Sequence, residues 1–303
     1  MTLPNFLIIG AQKAGTTAIY DYLSQHPQVF TSELKEPGFF AFEGGRLSFA
    51  GPHNVRAERN SVRDIDRYRE LFRKVGNRPR AGEASTIYIC VPQAAERIRH
   101  YVPNAKLIAV LRDPVDRAYS AYRHLVRDGR ETLSFEEGLA AEPSRTAANW
   151  RPGYYYKQLG FYYAQLRRYF ALFNREQIAV YTYDEFKADP RALLKAMFAF
   201  LDVDPDFHPD MSVWHNVSGI PRSRLLHTIF GRPNRAKDLA KRLLPARAAR
   251  LYGALMSRNI KVSEPKIARH TEQALREEYR EDLLRLESLL GRDLSAWRTG
   301  RQS

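Results

Sequence analysis

Short apolar runs rich in β-branched residues recur along the chain, and behind each lies a stretch with apolar positions at helical spacing. The first run is Asn5-Phe-Leu-Ile-Ile-Gly10, with helical spacing over 16–25 behind it. His26-Pro27 closes that helix, because proline disfavours helical geometry in the residue before it. Lys106-Leu-Ile-Ala-Val-Leu111 is a second buried strand, followed by Arg112-Asp-Pro and an amphipathic helix over 115–126. Gln177-Ile-Ala-Val-Tyr-Thr-Tyr183 is a third, with Pro190 at a helix start and apolar positions over 193–201. Residues 79–85 add a fourth, weaker strand. Strands alternating with helices predict an α/β fold: a parallel sheet with helices on both faces, whose ligands bind beyond the carboxyl ends of the strands.

The tyrosine-rich segment 154–173 reads as one long helix packed on the sheet rather than an aromatic binding box. A charged amphipathic helix over 268–290 stops at Gly291, with Trp297 docking the tail. Residues 44–60 are polar and glycine-containing, which predicts a surface loop near the candidate site. No internal repeat or low-complexity tract interrupts the chain. It is read as one domain over 1–303, with a basic helical C-terminal portion from about 222.

Composition narrows the class. With 44% apolar and 12% aromatic residues in 303, the chain can bury a substantial core. Cys90 is the only cysteine, so no intrachain disulfide forms, and a reducing cytoplasm is the expected compartment. The N-terminus lacks a basic region and a sustained apolar run, and no segment approaches the roughly 20 apolar residues of a spanning helix. A soluble protein is expected. The formal net charge of +14 attracts polyanions without saying which. Much of the excess lies in 222–258, read as a solvated helical face, with peripheral membrane or glycan contact as the alternative.

The segment Gly10-Ala-Gln-Lys-Ala-Gly-Thr-Thr17 sits where a strand hands over to a helix, so its backbone N–H groups form an anion cradle. Its glycines are spaced as in a P-loop, but Thr16 fills the slot where a nucleoside triphosphatase carries lysine. The lysine stands instead at Lys13, which weighs against an ATPase. The glycine pattern of a dinucleotide fold is absent.

With its flanks, this loop resembles the 5′-phosphosulfate-binding loop of sulfotransferases that use 3′-phosphoadenosine 5′-phosphosulfate (PAPS), especially the heparan sulfate N- and O-sulfotransferase type. The resemblance implies a P-loop-type parallel sheet flanked by helices. It gives Lys13 the oxygen joining phosphate to sulfate, and Thr16 and Thr17 the 5′-phosphate. Gln12, Ala14 and Gly15 complete the implied cradle. Arg112, at a strand end, and Ser120, about two turns along the next helix, can face one anion. They are similar to the family's 3′-phosphate motif. Lys35-Glu-Pro-Gly-Phe-Phe40 matches the family's Glu-x-x-Phe-Phe pattern, which makes Glu36 the implied general base, in competition with a salt bridge to Lys35 or Lys13.

The chain also departs from the pattern. Gly38 replaces a histidine common in heparan-type members, and Ala84 stands where some place a catalytic lysine. His124 and Arg117 are read as solvent-facing as readily as functional. Arg222, in a loop that closes over the nucleotide in some members, is a further phosphate contact. Histidine spacing predicts no metal site. The implied enzyme transfers a sulfuryl group to a hydroxyl or amine of a carbohydrate, glycolipid or other small acceptor, without nucleic acid as a partner. The competing readings are a P-loop nucleotide kinase, with Asp113 as its metal-binding acid, and a non-enzymatic basic polyanion-binding protein.

Overall fold

A computed structural model of the chain describes residues 3–45, 49–52, 61–212, 220–221, 260–261 and 267–300. Five parallel strands form its main sheet in the order β2-β3-β1-β4-β5. They are β1 (Phe6–Gly10), β2 (Val29–Thr31), β3 (Arg80–Ala84), β4 (Lys106–Leu111) and β5 (Ile178–Thr182). Every residue of β1 is buried. Because successive side chains point to opposite faces, this means that helices cover the sheet on both sides, as the unbroken apolar run predicts. A separate two-stranded antiparallel pair joins Ile220–Pro221 to Ile260–Lys261.

From central β1 the chain moves outward to β2, returns through β3 on one side, and then crosses to β4 and β5 on the other. The strand order therefore reverses at β1, and the crevice between the carboxyl ends of β1 and β4 is where such sheets bind ligands. The Thr16–Ser24 helix leaves β1, and the Pro114–Arg127 helix leaves β4. Pro114 opens the second at its first turn, where proline's missing N–H costs nothing. Asp113 caps it by accepting from the N–H groups of Val115 and Asp116 at 2.9 and 3.3 Å.

The tyrosine-rich segment departs from the predicted helix. Where one helix over 154–173 is expected, short 3-10 turns at Pro152–Tyr154 and Gln158–Gly160 come first, and only then an α-helix, Tyr162–Leu172. The buried carboxylate of Glu142 accepts the N–H groups of Lys157 and Gln158, each at 2.7 Å, which a continuous helix would bond internally. Gly160 marks the break: a Cβ there would lie 2.7 Å from the Tyr279 hydroxyl. Tyr154, Tyr156, Tyr162 and Tyr169 are all buried in the core. The Arg269–Leu290 helix buries Leu275, Tyr279, Leu283 and Leu286 in one stripe. It stops at Gly291, in left-handed conformation with φ 63°. Trp297 is buried, and its Nε1–H donates to Asp184 at 3.0 Å.

Candidate active site

Segments following the carboxyl ends of all five strands of the main sheet converge on one cavity of about 460 Å³, within the range of small-molecule sites. Behind β1, Lys13 and Gly15 both take positive φ, 70° and 83°, which folds the loop back before the helix starts. A side chain at 15 would be strained and would meet the Tyr183 ring at 3.0 Å, so glycine is required. Gln12, Lys13, Gly15, Thr16 and Thr17 line the cavity. Ala14 does not: its side chain is buried in the core and its N–H donates to Ala11 O at 3.3 Å.

Arg112 follows β4 and reaches the same cavity. Its Nη1 donates to Lys13 O at 3.2 Å, and its guanidinium lies 4.8 Å from the Tyr183 ring centroid. Ser120, further along the Pro114–Arg127 helix, also lines the wall. The two clusters drawn from sequence therefore share one cavity. Arg222, its loop over 216–223 and the basic stretch 222–258 lie outside the described residues, apart from the Ile220–Pro221 strand.

Glu36 lines the cavity from beyond β2. Its N–H donates to Ala84 O at 2.9 Å. Its carboxylate accepts the Thr86 N–H at 2.8 Å and pairs with Lys35 at 3.1 Å. The anticipated salt bridge with Lys35 exists, yet the Glu36 side chain stays 40% exposed, so ion pairing does not remove it from the cavity. Burial pushes Glu83 up to about 7, but it is sealed from the cavity wall. Among the described residues, Glu36 is the carboxylate on the cavity wall.

Positive charge dominates the remaining wall. Burial, reinforced by Arg127 and Arg112, lowers Lys13 to about 8. His124, partly exposed, lines the cavity, and burial followed by Lys13 lowers it to about 4. Arg127 donates to His124 Nδ1 at 2.7 Å, so the neutral ring carries its proton on Nε2. Arg117, also read as solvent-facing, is fully buried and donates to Tyr156 O. Arg130 and Arg151 line the cavity too, and supply the basic character that Ala84, buried in β3, does not. Burial and then Arg130 lower Arg151. Cys90 borders the cavity, but burial pushes its thiol up to about 12, which leaves no thiolate nucleophile at neutral pH. Among the described residues no group of three or more His, Cys, Asp or Glu is placed to hold a metal.

Tyr183, Arg130, Arg151 and the aromatic pair Phe42 and Phe49, 6.0 Å apart, are site residues that no sequence motif marked. Tyr183 carried a signal only as the last residue of a predicted strand, and Phe49 only as part of the predicted 44–60 loop.

The sheet order, with the glycine loop at its reversal point, defines a P-loop-type α/β protein. Within that class the chain belongs to the sulfotransferase family, whose profile matches residues 4–209, and it is an enzyme of sulfuryl transfer. It is similar to a crystallographically solved sulfotransferase from Alicyclobacillus acidocaldarius, at 36% identity and TM-score 0.78, over 98% of this chain and 100% of that one. It is 30% identical over 220 residues to bifunctional heparan sulfate N-deacetylase/N-sulfotransferase 3 of Homo sapiens, covering 68% of this chain and 23% of that protein. It is 34% identical over 127 residues to membrane-associated sulfotransferase kil1 of Dictyostelium discoideum, covering 42% of this chain and 24% of that protein. The chain thus spans less than a quarter of either curated relative.

Proposed function

We propose that the enzyme uses PAPS as donor and transfers its sulfuryl group to a hydroxyl or amine of a saccharide, with Glu36 as general base. The observation that carries this reading is the sharing of one cavity by the glycine loop, by Arg112 with Ser120, and by Glu36. The residues fit such a donor. Lys13 is a half-buried cation lowered by burial and further by two arginines, a cluster that an anion relieves. The Nε of Arg112 is buried without a hydrogen-bond partner among the described residues.

In this reading Glu36 accepts the acceptor's proton while the acceptor atom forms its bond to sulfur and the bond from sulfur to the 5′-phosphate oxygen breaks. Lys13 and the loop N–H groups neutralise the charge left on that phosphate, each preplaced donor contributing about 3–4 kcal/mol. Lys13→Ala is therefore expected to cut turnover by roughly two to three orders of magnitude. A saccharide acceptor is supported by the heparan sulfate relatives and by the wall of the cavity. Phe42 and Phe49 offer ring faces, and Arg130 and Arg151 suit a carboxylate or sulfate carried by the acceptor. The kinase reading relied on Asp113, whose carboxylate is engaged by two backbone N–H groups and by Arg276 at 3.0 Å.

Calorimetry with 3′-phosphoadenosine 5′-phosphate (PAP) against ATP plus magnesium tests the donor, and tighter binding of the ATP complex would overturn it. Radiolabelled sulfuryl transfer tests the base: Glu36→Gln is expected to keep PAP affinity and lose turnover.

A further inference from the structure

Glu83 is a buried acid in the interior of β3, a position flanked by Gly82 and Ala84. A carboxylate there loses its hydration, a penalty of several kcal/mol unless donors replace the water. Three hydroxyls do so. Tyr88 and Tyr68 donate to its Oε1 at 2.6 and 3.1 Å, and Ser85 donates to its Oε2 at 2.8 Å. All three donors are themselves buried.

The polarity of this cluster sets what lies beside it. When ionised, Glu83 only accepts, so the single hydroxyl proton of Ser85 is then spent on it. The Ser85 Oγ therefore turns its lone pairs outward, and it accepts the N–H of Gly38 at 3.0 Å. Gly38 lies two residues after Glu36, and both adopt positive φ, 66° and 61°. For a glutamate that conformation costs on the order of 1 kcal/mol and persists only where neighbours enforce it. The enforcement comes from consecutive residues at the end of β3: Ala84 O accepts the Glu36 N–H, Ser85 accepts the Gly38 N–H, and Thr86 donates to the Glu36 carboxylate. Tyr68 also stacks on Phe39 at 4.4 Å, at the start of the Phe39–Phe42 helix that continues from Gly38.

We infer that Glu83 is a positioning residue for the reaction: by orienting the Ser85 hydroxyl as an acceptor it fixes the Glu36–Gly38 turn and so the aim of the Glu36 carboxylate. This rests on the reading of Glu36 as base. Replacing the acid by its amide tests the point, because Glu83→Gln keeps the volume but turns an N–H toward Ser85, so the serine proton loses its acceptor at 83 and the hydroxyl is no longer held in the orientation that receives the Gly38 N–H.

The experiment is a double-mutant cycle of wild type, Glu36→Gln, Glu83→Gln and the double variant, with Ser85→Ala alongside. Transfer from radiolabelled PAPS is followed with N-deacetylated heparan saccharide, and with water where no saccharide is added. PAP affinity is measured by calorimetry. Glu83→Gln is expected to lower kcat by about ten- to a hundredfold, the scale of a misplaced catalytic group. PAP affinity should stay within about twofold, and the loss should largely vanish in the Glu36→Gln background. Ser85→Ala should reproduce the pattern, and it carries the comparison alone should Glu83→Gln fail to fold. An equal loss with Gln at 36, a parallel fall in PAP affinity, or unchanged kcat would each overturn the proposal. If Glu36→Gln is itself fully active, the base reading fails instead. A crystal structure of the Glu83→Gln or Ser85→Ala protein then decides separately: movement of the 36–38 turn supports the positioning role, and an unmoved turn refutes it.

Discussion

Arg112→Ala separates the two ends of the proposed donor. In the free protein the Arg112 guanidinium is already ordered, over the Tyr183 ring at 4.8 Å and against Lys13 O at 3.2 Å. Little is left to organise on binding, so the contact with a 3′-phosphate registers nearly in full. A hydrogen bond to a charged group contributes about 1.5–3 kcal/mol, which at 1.4 kcal/mol per decade is roughly 10- to 150-fold in affinity. The assay is calorimetric titration with PAP and with adenosine 5′-monophosphate, which differ only in the 3′-phosphate. Wild type should prefer PAP. The variant should lose about 10- to 150-fold for PAP and less than about twofold for the monophosphate.

Arg112 also props the glycine loop, so its removal could weaken both ligands through Lys13. Ser120→Ala controls for this, because the serine lines the cavity from a helix and belongs to no part of the loop. Its loss should reach about tenfold, for PAP alone. If both ligands weaken equally in both variants, neither residue grips a 3′-phosphate and the donor assignment is wrong.

Lys13 gives a pH signature. A bound phosphate favours its charged form, so PAP affinity should fall above about 8, by up to roughly tenfold per pH unit for one coupled proton. Titrations across that range check it, and Lys13→Arg, which stays charged, should flatten the slope. In the ligand-free protein the sign reverses: the unfolded chain keeps this proton up to 10.5, so between about 8 and 10.5 Lys13 makes stability rise with pH. Arg276→Ala strips the cation from Asp113, which is 2% exposed, and should cost about 3 kcal/mol in urea unfolding at neutral pH; a loss under about 1 kcal/mol would refute the argument. Arg151→Ala should raise the acceptor KM about tenfold and leave PAP affinity unchanged, read by initial rates with N-deacetylated heparan saccharide.

What the sequence disclosed follows from where each contact is made. β1 and β4 were legible because burial on both faces demands unbroken apolar runs, and Lys13, Arg112 and Ser120 because each lies on the loop or helix directly behind such a run. β2 is three residues at the sheet edge, half-buried, and carries no comparable pattern. Arg130, Arg151 and Phe49 reach the cavity from loops, and Phe42 from the end of the Phe39–Phe42 helix, segments joined only on folding, where Ala50 N–H meets Asn149 O at 3.0 Å. Nothing in their spacing could announce that. The 154–173 helix was misread because its aromatic periodicity is real, whereas the interruption depends on Glu142, a distant residue that takes two of its N–H groups.

The net charge of +14 suggested a polyanion in general, and the cavity turns that into a narrower demand. Asp128 alone faces three cationic or titratable partners, Arg127 at 3.3 Å, Arg130 at 3.5 Å and His124 at 3.8 Å. One carboxylate cannot balance them together with Lys13 and Arg112. The excess shows in the groups able to respond: Lys13 and His124 are both driven toward neutrality by burial and by each other or their arginine neighbours. Cations on a solvated stripe, of the kind that tracks nucleic acid, would be screened by water and salt and would not suppress one another in this way. A concave, partly dehydrated cluster of like charge is instead at its most favourable with a compact, multiply charged anion inside it. In the proposed reading, Glu36, held by β3 at the rim, would meet a sulfur already paired with positive charge on its leaving side, which is where sulfuryl transfer needs it.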